Sequence, residues 1–153
     1  MKLIKPIYNS TNQVLTSMLA LNSSKGEVIT KKDSITTQKL NISVGITGDL
    51  KGSLFFSLSE KLTLNLVQEM SGMEINTIDN FASSAMSELA NIICGNTITE
   101  LNKQNYICNI TPPRIINGSN NQVSVFTDEI KVLPIKTKMG NLIINISLEK
   151  NNS

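Results

Sequence analysis

A chain of 153 residues with 40% hydrophobic and 17% charged residues reads as one globular domain, 1–153, able to bury a core and too apolar for intrinsic disorder. Its net charge of +2 is scattered, and only four Phe and two Tyr accompany it, which argues against a basic, aromatic-studded surface for nucleic acid. Histidine is absent, which removes Ser-His and Cys-His nucleophiles, the usual general base near neutral pH and the commonest zinc ligand. Any chemistry must therefore run on carboxylates, amides, hydroxyls or groups that a partner brings. Cys94 and Cys108 lack Cys-x-x-Cys spacing and read as reduced packing residues. Met1 to Ser10 is broken by Lys2, Lys5, Pro6 and Asn9, unlike a signal peptide, and no run approaches the roughly 18 apolar residues of a membrane span. The expected compartment is the cytoplasm, with no membrane partner.

In chain order, Pro6 suits a first helical turn, and Ile7, Val14, Leu15, Met18 and Leu19 carry a helix to about Leu21. Asn22 to Gly26 is turn chemistry, and Thr30 to Lys39 reads as an extended, partly solvated segment. From Leu40 to Thr47 apolar Leu40, Ile42, Val44 and Ile46 alternate with Asn41, Ser43, Gly45 and Thr47, the pattern of a half-buried strand. Gly48 to Gly52 is expected to turn the chain into a second strand, Ser53 to Ser59, closing an antiparallel hairpin. Ser59 then caps a helix bearing Leu62, Leu64, Leu66, Val67 and Met70, which ends before Gly72.

After a short linker, Asp79 to Gln104 reads as the longest helix. Asp79 or Asn80 serves as its cap, and Phe81, Ala82, Ala85, Met86, Leu89, Ile92 and Ile93 form its apolar face. At 100° per residue, Ser84, Glu88, Asn91 and Gly95 fall within a stripe roughly 60° wide beside that face. Such residues also suit an ordinary wet helix surface. Gly95, however, costs a helix about 1 kcal/mol relative to alanine, which points to a place where another surface comes close.

Tyr106 to Ile110 is expected to be a strand, halted at Thr111-Pro112-Pro113 because proline cannot donate to a ladder. Ile115 and Ile116 precede a break at Asn117 to Asn121, after which Val123, Val125 and Phe126 open a strand running to Val132 or further. Pro134 suggests an edge or a bend, Met139 to Asn141 a turn, and Leu142 to Leu148 a closing strand. Gly52 to Ser59 and Gly140 to Ser147 share a glycine, a hydrophobic pattern and a closing serine, an echo that suggests two similar halves. The first helix, counterpart of the long one, carries no acidic residue, so one Glu-x-x-Asn site is expected.

Ser84, three residues, Glu88, two residues, Asn91, twenty-one residues and Pro113 resembles the signature of the chemotaxis phosphatases CheC, CheX and FliY, and the length is similar to one CheX unit. The resemblance implies an α+β, CheC-like fold: two similar helix-plus-three-strand halves forming a mainly antiparallel sheet with helices packed on it. It implies dephosphorylation of a phospho-aspartyl, CheY-like response regulator, with Glu88 and Asn91 catalytic and Ser84, Gly95 and Pro113 at the partner surface. By resemblance, Asn91 orients the attacking water, a role an amide fills by donating and accepting at once, and Glu88 meets the regulator's active-site lysine. Glu88 as a general base stays open. Mg2+ would arrive with the regulator, the chain holding no metal of its own, and a homodimer is implied. The alternative is a non-catalytic module that binds a receiver domain or a flagellar switch component.

Overall fold

The computed structural model describes residues 2–117, 122–125 and 127–152. In chain order they form α1 (Ile4–Leu19), β1 (Ser24–Lys25), β2 (Ile29–Lys31), β3 (Ser34–Thr36), β4 (Leu40–Gly48), β5 (Leu50–Leu58), α2 (Glu60–Ser71), α3 (Asn80–Asn102), β6 (Cys108–Ile110), β7 (Arg114–Asn117), β8 (Gln122–Ser124), β9 (Ile130–Thr137) and β10 (Gly140–Lys150).

β5 and β10 pair antiparallel along the middle of the main sheet. β4 lies outside β5 and β9 outside β10, while the short strands β6 and β7 continue beyond β4, and β1 and β2 beyond β9. β3 and β8 make a separate two-stranded ladder. Alternation along the strands decides the layers. Leu54, Phe56 and Leu58 of β5 and Leu142, Ile144 and Ile146 of β10 join one core with Ile7 and Leu15 of α1, Leu66 of α2, and Met86, Leu89 and Ile93 of α3. The intervening residues Phe55 and Val132 turn to the opposite face, where they pack with Ile35 and Ile130.

The fold is α+β and built from two similar halves. α1 to β5 and α3 to β10 each run helix, divided edge strand, short strand, long hairpin. Each half lends its divided edge strand to the other half's hairpin. In the central ladder Phe56 faces Ile144, and in the small ladder Ile35 faces Val123. Both pairs are separated by 88 positions, the same offset as the echoed glycines Gly52 and Gly140, so a local two-fold axis passes through both contacts. The two glycines also share a left-handed backbone, with φ of 137° and 132°.

Several expectations need correction. Only Asp49 separates the two strands, since Gly48 ends β4 and Leu50 to Gly52 already belong to β5. The strand expected from Val123 to Val132 is two strands, β8 and β9, interrupted at 127–129, and Phe126 and 118–121 lie outside the described residues. Thr30 to Lys39, extended as expected, carries the end of β2 and all of β3. Asn41 is buried rather than wet, because its amide is consumed locally: Nδ2 donates to the carbonyls of Gln38 at 2.8 Å and Ile116 at 2.9 Å, and Oδ1 accepts from the Gln38 N–H at 2.8 Å. Pro134 lies inside β9, not on an edge. Its carbonyl accepts from the Gly26 N–H at 2.9 Å, on the side where β1 and β2 are interrupted, so its missing N–H costs no bond to β10.

Candidate functional site

α3 is fixed by capping and by burial. Asp79 supplies the cap, its carboxylate accepting from the Ala82 N–H at 2.9 Å. Ala82, Met86, Leu89, Ala90, Ile93, Cys94, Thr97 and Leu101 are buried against the sheet and α1. Phe81, expected on that face, is instead 47% exposed, because at 100° per residue it lies about 20° from Glu88 and so shares the open side of the helix, while Ala82 turns into the core.

The opposite stripe is open. Ser84 and Glu88 are exposed, and Asn91 and Gly95 are half-buried. The helical rise of about 1.5 Å per residue sets Glu88 and Asn91 roughly 4.5 Å apart along the axis, in a line about 16 Å long from Ser84 to Gly95. Among the described residues neither Glu88 nor Asn91 has a side-chain hydrogen bond or an ion pair. A side chain added at Gly95 would meet nothing within 4 Å, so no close packing among the described residues calls for this glycine. Pro113 is not on this line. It sits half-buried between β6 and β7, both of which pack against α3. Just before it, Thr111 locks onto Gly45: its Oγ1 accepts from the Gly45 N–H at 2.9 Å and its N–H donates to the Gly45 carbonyl at 2.9 Å.

The thiols supply no nucleophile. Burial pushes the Cys94 thiol from 9.0 up to about 12, so it stays protonated at neutral pH, and Cys108 is free and buried. No group of three His, Cys, Asp or Glu side chains among the described residues is arranged to hold a metal ion. Likewise, no described helix is long and apolar enough to cross a membrane.

The family model for the chemotaxis phosphatase CheX matches residues 40–135, more than half of the chain. The chain belongs to the CheX family. It is 30% identical over 135 residues to the CheY-P phosphatase CheX of Thermotoga maritima, covering 88% of this chain and 86% of that protein. Its fold is similar to that of the chemotaxis protein CheX from Desulfovibrio desulfuricans, at 24% identity and a TM-score of 0.86 over 99% of this chain and 100% of that one. It is also similar in fold to a chain of the CheX–CheY–BeF3–Mg2+ complex from Borrelia burgdorferi, at 24% identity and a TM-score of 0.81, covering 97% and 99% of the two chains.

Within this CheX-family chain the two halves are unequal at the helix. α1 has no acidic residue, and its Asn12 is occupied, Oδ1 accepting from the Ser23 hydroxyl at 2.8 Å. Tyr8 anchors the same loop, its hydroxyl donating to the Ser23 carbonyl at 3.1 Å. The open amide and carboxylate pair therefore belongs to α3. Sequence reasoning passed over Ser87, whose hydroxyl is buried with no partner among the described residues, one turn before Asn91. The four-residue spacing was its only signal.

Proposed function

We propose that this chain removes the phosphoryl group from the phospho-aspartate of a CheY-like response regulator. Glu88 and Asn91 enter the regulator's active site together from α3. The observation that carries this reading is a carboxylate and an amide one turn apart on one helix face, neither with a side-chain partner among the described residues. A polar pair held open on a rigid helix is pre-organised for groups that arrive with a partner. The similarity to a CheY-P phosphatase supports the same reading.

The chemistry asked of the chain is limited. An acyl phosphate is already activated, so the catalyst chiefly has to place water in line with the phosphorus and the leaving carboxylate oxygen. Asn91 does this with its amide oxygen accepting a hydrogen bond from the water's O–H and its N–H donating one to the water oxygen, without a charge that would repel the phosphoryl oxygens. The new P–O bond forms as the bond to the aspartate breaks, releasing inorganic phosphate and the free carboxylate. Glu88 pairs with the regulator's active-site lysine. Desolvation offsets much of that attraction, so the pair sets orientation and partner choice more than affinity. Mg2+ would come with the regulator and would supply neutralisation of the developing charge, a division of labour that the CheX–CheY–BeF3–Mg2+ complex of Borrelia burgdorferi supports. Ser84, the exposed ring of Phe81 and Pro113 extend the contact, and Gly95 lets the partner's backbone approach.

The decay of a phosphorylated regulator with and without the protein tests this. Acceleration that disappears on removing divalent ions is expected. Stable binding with unchanged decay would make the chain a docking module and overturn the phosphatase reading.

A further inference from the structure

On the sheet face opposite α3 lies a cavity of about 390 Å3 between β4, β5, β7 and the small β3–β8 ladder. Ile35 and Phe55, each 1% exposed, form its covered floor, and the half-buried Ile116, Val123 and Val125 give its reachable apolar surface. The space exists because Gly45, Gly52, Ser43 and Ser53 leave the adjoining strands bare of large side chains.

The polar side chains around it are hydroxyls, which can donate as well as accept, and one guanidinium, which only donates. Arg114, the chain's single arginine, stands opposite Ser43 in the β4–β7 ladder and has no ion pair among the described residues. The hydroxyls of Ser43, Ser53 and Ser124 have no hydrogen-bond partner among the described residues, and Thr111 Oγ1, accepting from the Gly45 N–H, keeps its own proton free. Deeper in, Thr127 Oγ1 donates to the Glu129 carbonyl at 3.1 Å and contacts the Ser147 hydroxyl at 2.6 Å, so those two satisfy each other. No Asp or Glu side chain is among the described lining residues. A concave site with apolar walls, several convergent donors, one guanidinium and no acid selects an anion that carries a hydrophobic body.

We propose that this cavity binds a small organic carboxylate, its apolar part against the half-buried Ile116, Val123 and Val125 and its carboxylate held by Arg114 and the free serine hydroxyls. The site is separate from the Glu88 and Asn91 face and does not depend on the reading of that face.

The test is a titration of the isotope-labelled full chain with aromatic and branched aliphatic carboxylates, each compared with its primary amide, and with inorganic phosphate. Carboxylates are expected to shift the backbone resonances of Ser43, Ser53 and Ser147 saturably, with the amides bound roughly tenfold more weakly, about 1.4 kcal/mol. In Arg114→Gln that preference is expected to vanish, with thermal stability unchanged because Arg114 is exposed and unpaired. Ser53→Leu, which fills the space, should abolish both shifts. Equal shifts by acid and amide, phosphate alone binding as tightly, or shifts confined to other surfaces would overturn the proposal, as would no shift at all.

Discussion

Gly95 separates folding from docking more cleanly than any other residue on α3. Helical glycine costs about 1 kcal/mol relative to alanine, and nothing within 4 Å would obstruct the added methyl. Gly95→Ala is therefore expected to raise the unfolding free energy by up to about 1 kcal/mol while slowing regulator dephosphorylation, because the methyl intrudes on the partner. Denaturant melts and the decay assay together check this. A variant that is stabilised and fully active would remove Gly95 from the docking surface. At this scale much was legible: the Asp79 and Ser59 caps and the open stripe all follow from side-chain chemistry at fixed helical spacing. What was hidden depended on neighbours distant in sequence. The burial of Asn41 needs β7 to come alongside, and the exposure of Phe81 needs the position of the sheet under α3.

At the scale of elements, the echo between the two hairpins is carried by Gly52 and Gly140, which share one backbone conformation in different surroundings. A methyl at Gly52 would strike the Ser147 carbonyl of the paired strand, whereas at Gly140 it would come 3.2 Å from Leu62 Cβ, tight but without overlap. Both alanine variants should lose on the order of 1–3 kcal/mol through positive φ, with Gly52→Ala the worse by the added clash. Thermal melts of the two variants compare them directly, and a tolerated Gly52→Ala beside a damaging Gly140→Ala would contradict the account. The hairpins themselves were readable from period-two alternation. The division of the Val123 to Val132 segment into β8 and β9 was not, because apolar residues on both sides of 127–129 read as one run, and only the separate β3–β8 ladder divides them. The exchange of edge strands between halves was equally hidden, since a strand's partner is not written in its own sequence.

For the whole molecule, the sheet's exposed edges are the divided strands β1 with β2 and β6 with β7, since both long strands, β4 and β9, are flanked on each side. Short, interrupted edges are a poor template for uncontrolled pairing, which favours one specific two-fold contact over aggregation. We propose that the chain forms a homodimer presenting two α3 sites. Light scattering at tens of micromolar should then give twice the chain mass, and monomer alone would contradict it.

The central claim is that Asn91 positions water while Glu88 docks the partner, and one comparison addresses it most directly. The first-order decay of phosphorylated regulator is measured at saturating concentrations of wild-type chain, Asn91→Ala and Glu88→Ala, with the affinity for the regulator measured alongside. The account predicts that Asn91→Ala binds nearly as wild type yet loses most of the acceleration, at least roughly a hundredfold by analogy with the loss of a positioned catalytic group. Glu88→Ala should weaken binding as well. An Asn91→Ala variant that binds and dephosphorylates like the wild type would contradict it.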